Sequence, residues 1–172
     1  MIKVINLREG KSEISNAKNL KSTQMNLHHI LLIIHLISAT IWVGGHLFLA
    51  IRILPRALRE KSIKELQYFK NQYEPFGMPA LIVLVVTGIW MAYDYNATIG
   101  SWFSFSNRIE RVVSVKLILL LVTFAMAFTA DRFIFPKLNE KNIYKAAIFI
   151  ITVTAIGLAM IILGSFVRYG GI

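Results

Sequence analysis

All four histidines of this 172-residue chain lie within one long apolar segment, residues 27–54. Three of them, His28, His35 and His46, are separated by 7 and then by 11 residues. At about 100° per residue, each step returns to within roughly 20° of the previous direction, so the three side chains share one helix face. Imidazole in hydrocarbon is costly and marks a site, and its neutral form is a common ligand for metals and for haem iron. We therefore predict a metal or cofactor site on this face.

The helical rise places His35 and His46 at two different depths in the membrane. His35 lies near one end of the apolar segment and His46 near the other, about 16 Å apart along the helix axis. Counting inward from the ends of the other apolar segments places Lys116, Met91 and Met160 at the level of His35. We predict that these four residues converge, and that His46 forms a second site or has a structural role.

The composition indicates a membrane protein, since 56% of the residues are hydrophobic and the mean hydropathy is +0.60. Four apolar segments, about 27–54, 76–95, 111–135 and 143–168, are each long enough to cross a hydrocarbon core, which takes about 20 residues. Backbone polar groups in lipid must be paired within the chain, so these spans must be helices. We predict an all-α integral membrane four-helix bundle over residues 27–172, which crosses the membrane several times.

The remaining composition narrows the possible partners. Residues 1–26 are polar, and we predict a flexible N-terminal tail rather than a cleaved signal peptide. The net charge of +10 comes largely from basic residues that flank the apolar segments, which favours the lipid bilayer and its anionic head groups over nucleic acid as a partner. The absence of cysteine excludes disulfides, iron–sulfur clusters and thiolate-bound metals.

The connection between the first two spans carries its own helical pattern. Between Pro55 and Pro75, apolar side chains recur near helical spacing among charged ones, at Leu58, Ile63, Leu66 and Phe69. This pattern is typical of an amphipathic helix at the membrane interface. We predict a short interfacial helix between helices 1 and 2, with the two prolines at its boundaries.

Several short motifs follow one another in a fixed order along the chain. They are His35-Leu-Ile-Ser-Ala-Thr-Ile-Trp42-Val-Gly44-Gly45 with Leu54-Pro55, then Thr87-Gly88, Ser114-Val-Lys116-Leu, Asp131-Arg132 and Pro136. Over residues 27–137 this order resembles the copper-resistance protein D family. It is also similar to the related membrane-bound protoporphyrinogen IX oxidase of bacteria, a four-helix family associated with b-type haem. The resemblance implies cofactor-binding positions at His35 and Lys116, with Trp42 and Gly45 in the segment that follows the histidine.

A b-type haem protein with an electron-transfer or oxidase-like role is the first functional hypothesis. His35 would be an axial ligand, and Lys116 would lie near a propionate. Because the other helices contain no histidine, the iron would be five-coordinate, or would take Met91, Met160 or Lys116 as its sixth ligand. Two chains paired through helix 1 as a homodimer would instead let His35 and His46 each meet their counterparts. The electron partner would be a quinone, a porphyrinogen or another redox protein.

Copper transport or delivery across the inner membrane is the alternative hypothesis. Cu(I) prefers soft thioether and imidazole ligands, and the chain offers both types in its spans. The candidate metal ligands are His28, His35, His46, Met91 and Met160. A purely structural role has less to support it, because interhelical hydrogen bonds in membranes contribute only about 0.6 kcal/mol on average.

Overall fold

Every regular element in the described part of the chain is helical. The computed structural model describes the backbone of residues 2–172 and the side chains of residues 13–172. Its helices are α1 (Ile2–Phe48), α2 (Leu54–Glu60), α3 (Ile63–Asp94), α4 (Arg108–Thr129) and α5 (Ile143–Val167). Within residues 13–172, four helical stretches are long and apolar enough to cross a membrane. The predicted all-α four-helix membrane bundle is confirmed.

The first span is much longer than a bilayer requires. α1 continues through a π-helical turn, Leu49–Ile53, directly into α2. Residues 13–26 are helical and exposed, so this part of the predicted tail extends α1 beyond the apolar segment. The side chains of residues 2–12, and all of residue 1, lie outside the described part of the chain. The flexibility of the tail stays a prediction.

The second span begins earlier than its hydropathy indicates. α3 starts at Ile63 and continues through two prolines, Pro75 and Pro79. The predicted helix boundary at Pro75 is therefore wrong. Proline is tolerated inside membrane helices, since neighbouring helices and local adjustments compensate the freed backbone groups. A short helix does lie between the first two spans, but it is α2, Leu54–Glu60, which has Pro55 in its first turn and is followed by Lys61 in a left-handed conformation with φ 52°.

The histidine-bearing helix contacts two of the other three spans. α1 packs against α3 and against α5, and α4 packs against α5. One apolar core joins α1 to α3 through Trp42, Val43, Ala80 and Leu81. A second core, at the α2 end of the bundle, is formed by Leu54, Ala57, Leu66, Ile143, Ala147 and Ile150.

A charged cluster ties α3 to the turn that follows α4. The Lys70 ammonium lies 2.8 Å from the Asp131 carboxylate and 3.1 Å from that of Glu74. It also stands 5.2 Å from the centre of the Phe135 ring. These contacts offset the cost of a Lys70 charge close to the membrane, and they hold the first part of α3 against the end of α4.

Candidate metal-binding site on the histidine face

The face of α1 that carries the histidines packs against α3, as the spacing predicts. The three histidines meet α3 at three levels: His28 beside Asp94, His35 beside Thr87, and His46 beside Tyr73. Each contact joins residues more than 25 positions apart in the chain, so the face points into the bundle. The shared face is confirmed, and each imidazole has its own partner.

His28 lies at the membrane boundary. Its Nδ1 atom is 2.8 Å from Oδ2 of Asp94, and its ring meets the ring of Tyr95 edge-on at 5.4 Å. Both the imidazole and the carboxylate are partly exposed, which agrees with an interfacial position. This pair joins the start of the membrane part of α1 to the end of α3.

Thr87 holds His35 in place, and the hydrogen bonds of Thr87 show which ring nitrogen of His35 carries the proton. The Thr87 hydroxyl lies 2.6 Å from the carbonyl oxygen of Val83 and 2.8 Å from Nδ1 of His35. A carbonyl can only accept, and the hydroxyl has a single proton to donate. Thr87 therefore donates to Val83 and accepts the Nδ1–H of His35. The Nε2 atom of the neutral ring then keeps its lone pair, as a metal ligand requires.

The residue after Thr87 gives this imidazole its space. A Cβ atom at Gly88 would stand 3.2 Å from Cε1 of His35, closer than most packed side chains approach. The Thr87-Gly88 pair thus provides both the hydrogen-bond acceptor and the clearance. In the sequence this pair stands out only as part of a family motif, which does not indicate its contact with His35.

His46 is oriented by its own helix. Its Nδ1 atom lies 2.9 Å from the carbonyl oxygen of Trp42, which can only accept, so Nδ1 carries the proton and Nε2 the lone pair. The imidazole lies between the rings of Trp42 and Tyr73, at centroid distances of 4.8 and 5.7 Å. The Tyr73 hydroxyl donates to the same carbonyl at 2.8 Å.

Gly45 allows a close approach to α1, and an aromatic side chain takes that space. A Cβ atom at Gly45 would overlap the ring of Tyr73, and one at Gly77 would stand 2.5 Å from the opposite edge of the same ring. At Gly44, in contrast, no atom lies within 4 Å of such a Cβ. The Tyr73 ring is therefore held between two glycines, one on each helix.

Lys116 of α4 reaches toward α5 and toward the level of His35. Its Nζ atom lies 3.6 Å from the position that a Cβ of Gly164 would occupy. Among residues 13–172 no ion pair includes Lys116. The side chain is near enough to His35 for an electrostatic interaction between the two groups.

The two candidate thioethers lie on the helices that flank this level. Met91 follows Thr87 by one turn of α3, and Met160 precedes Gly164 by one turn of α5; both are half-buried. Within residues 13–172, no group of three or more His, Cys, Asp or Glu side chains is close enough to hold a metal ion. A metal bound at His35 would therefore need ligands of another type, such as a thioether.

The sequence patterns did not predict two further contact residues, Asp94 and Tyr73. Asp94 ends the second span at the membrane surface where His28 begins the first, and this shared level is the signal that would have paired them. Tyr73 gave no such signal, because the segment before Pro75 reads as a connection outside the membrane.

These features define a class: a multi-pass α-helical membrane protein in which three imidazoles on one helix face a neighbouring helix of the bundle. A family model described as Copper resistance protein D matches residues 67–167, more than half of the 172-residue chain. The chain belongs to the copper resistance protein D family. No curated protein and no solved structure matches it.

The matched region differs from the region that carried the resemblance. It contains most of α3 and all of α4 and α5, including Thr87, Gly88 and Lys116, and it begins after α1. It therefore reaches the fourth span, which the sequence motifs left out, and omits every histidine. Nothing in the match supports the further resemblance to protoporphyrinogen oxidase.

Proposed function

We propose that the protein binds copper ions as cargo within the bilayer of the bacterial inner membrane and transports or delivers them, with His35 as the principal ligand. The observation that supports this is the orientation of His35. Thr87 engages Nδ1, so the lone pair of Nε2 is available for a metal inside the bundle. Membership of the copper resistance protein D family makes copper the metal of choice.

The neighbouring groups suit Cu(I) better than harder cations. Imidazole and thioether are its preferred ligands when no thiolate is present, and the chain has no cysteine. Met91 follows Thr87, the partner of His35, by one turn of α3, and Met160 precedes Gly164, which faces Lys116, by one turn of α5. His28 and His46 extend the same face toward the two membrane surfaces, so that α1 would carry a series of imidazoles across the bilayer.

The cation beside His35 favours release of the ion over tight storage. Lys116 opposes any metal cation bound at His35, because like charges repel strongly in a poorly solvated interior. A transport pathway needs sites that bind well enough to admit an ion and weakly enough to release it. The charge of Lys116 would make the binding weak enough for release.

A b-type haem with a redox role is the second candidate, and the same two residues support it. His35 would offer one axial ligand and Lys116 a cation for a propionate, while haem itself would supply one-electron chemistry. Around His46 the residues do not fit a macrocycle, because Tyr73 fills the space at Gly45. Pairing of two chains through α1 stays a prediction; in the single chain the histidine face packs against α3.

Metal analysis and absorption spectra of the detergent-purified protein test both candidates. We expect copper to co-purify or to bind on titration, and His35→Ala to lose most of it. His29→Ala is the matched control, because His29 is exposed on the same helix and should bind as the wild type does. A Soret band that His35→Ala abolishes would establish haem in place of copper. A protein that takes up neither would contradict both candidates.

Removal of the charge at Lys116 separates the two candidates by the sign of the effect. If copper is the cargo, Lys116→Gln should raise its affinity about tenfold, since a nearby like charge is removed, whereas Lys116→Arg should leave it unchanged. If a haem propionate binds there, the same Lys116→Gln protein should retain less haem. Competition with a chromogenic Cu(I) chelator measures the first effect, and the haem-to-protein ratio measures the second.

A further inference from the structure

A groove of about 680 Å³ lies between α1 and α3, on the surface of the bundle. Its lining includes Ser38 from α1 and Gln72, Tyr73, Pro75, Phe76 and Pro79 from α3. The Phe76 side chain is 69% exposed within a membrane-spanning helix, so the groove opens toward lipid. Its volume lies in the range of small-molecule sites, and no histidine lines it.

A backbone acceptor in this groove lacks its usual donor. In an α-helix the carbonyl of Pro75 would accept from the N–H of residue 79, but residue 79 is proline and has none. Unpaired carbonyls are costly in lipid and are normally satisfied by another group. The Tyr73 hydroxyl, which lines the same groove, has a single proton and directs it to the Trp42 carbonyl at 2.8 Å, with the Ile41 carbonyl at 3.0 Å, so it does not serve Pro75. A carbonyl without its usual donor is therefore present at a residue that lines the groove.

The other walls of the groove favour a flat aromatic ligand. The rings of Phe69 and Tyr73 are stacked at 5.4 Å and form one side. Phe76 is the third aromatic ring along the same helix, and the Ser38 hydroxyl and the Gln72 amide add polar groups. From this end the groove continues along α3 to the apolar residues Ala80 and Val83. The aromatic rings and Gln72 thus lie nearer the start of α3, and Ala80 and Val83 lie deeper in the span. Ser38 lies at this deeper level too, because it stands between His35, which meets Thr87, and Trp42, which packs with Ala80.

We propose that this groove binds a membrane quinol. One quinol hydroxyl would donate to the carbonyl of Pro75, the ring would pack on the aromatic side chains, and the isoprenoid tail would follow the groove toward Val83. An acyl chain of a phospholipid could fill the apolar part but has no proton to donate to the carbonyl. The inference does not depend on the copper proposal, because none of the proposed copper ligands lines the groove; Val83, whose carbonyl accepts from Thr87, is the residue where the groove and the His35 site meet.

Binding of decylubiquinol to the detergent-purified full-length protein tests this assignment, with its dimethyl ether as the probe that lacks hydroxyl donors. We expect saturable quenching of the intrinsic fluorescence by the quinol and much weaker binding of the ether. Pro79→Ala restores the N–H that pairs with the Pro75 carbonyl and should weaken quinol binding about tenfold. It should not unfold α3, because alanine is the better helix former.

Ile82→Ala is the matched control on α3, since Ile82 is 59% exposed and does not line the groove. It should bind the quinol as the wild type does. Equal affinity for the quinol and its dimethyl ether would overturn the proposal, as would unchanged affinity in Pro79→Ala. Displacement of the quinol by added phospholipid alone would show instead that the groove is a lipid site.

Discussion

Thr87→Val should lower the affinity for copper by about 10- to 100-fold while the bundle stays folded. Valine matches threonine in shape but has no hydroxyl, so the Nδ1–H of His35 would lose its acceptor. The imidazole could then rotate or change tautomer, and the lone pair of Nε2 would no longer be directed at the metal. Loss of such a partner of a metal ligand typically weakens binding by this amount. Competition with a Cu(I) chelator measures the change.

Thr87→Ser is the control for this prediction, because serine keeps the hydroxyl and its bond to the Val83 carbonyl. It should bind copper nearly as tightly as the wild type, while His35→Ala sets the lower limit. Wild-type affinity in Thr87→Val would mean that Thr87 only packs against α1 and does not orient the ligand. Equal losses in Thr87→Val and Thr87→Ser would point to packing as the cause.

The placement of the histidines could be predicted from the sequence because helix periodicity is local. The spacing of His28, His35 and His46 defines their common face whatever the other helices do. The four spans follow in the same way from segment length and hydropathy, because lipid leaves the backbone few alternatives to a helix. Both features agree with the structure.

The partners of those histidines could not be predicted, since they depend on how α3 is aligned against α1. A shift of α3 by one turn would bring a different residue to His35 in place of Thr87, with no change in the hydropathy of either span. Pro75 misled for a related reason: its local preference is to end a helix, but packing against α1 and the surrounding lipid override it. The extension of α3 before Pro75 is what brings Tyr73 to His46.

Tyr73 is thus the residue through which α3 holds the second half of the histidine face. Its ring lies between Gly45 of α1 and Gly77 of α3, and its hydroxyl bonds the Trp42 carbonyl that also orients His46. Small residues let membrane helices approach closely, and here the space that they leave is filled by one aromatic ring. The stability of this contact should therefore depend on which glycine of the Gly44-Gly45 pair is changed.

Gly45→Ala should destabilise the protein by about 1–3 kcal/mol, because the added methyl group would overlap the Tyr73 ring and force it out of place. Gly44→Ala is the matched control. Its methyl group would meet no atom within 4 Å, so the substitution should be neutral or should stabilise α1 by up to about 1 kcal/mol. Unfolding in detergent, followed by circular dichroism, measures both.

A double-mutant cycle assigns the cost of Gly45→Ala to the Tyr73 ring. In a Tyr73→Leu background the larger ring is absent, so Gly45→Ala should cost clearly less than it does in the wild type, and the difference is the coupling between the two positions. Gly44→Ala should have the same effect in both backgrounds. If Gly44→Ala and Gly45→Ala were equally destabilising, or if the cost of Gly45→Ala persisted without Tyr73, this ring would not be what fills the space at Gly45. The close contact between α1 and α3, and with it the orientation of His46, would then need another explanation.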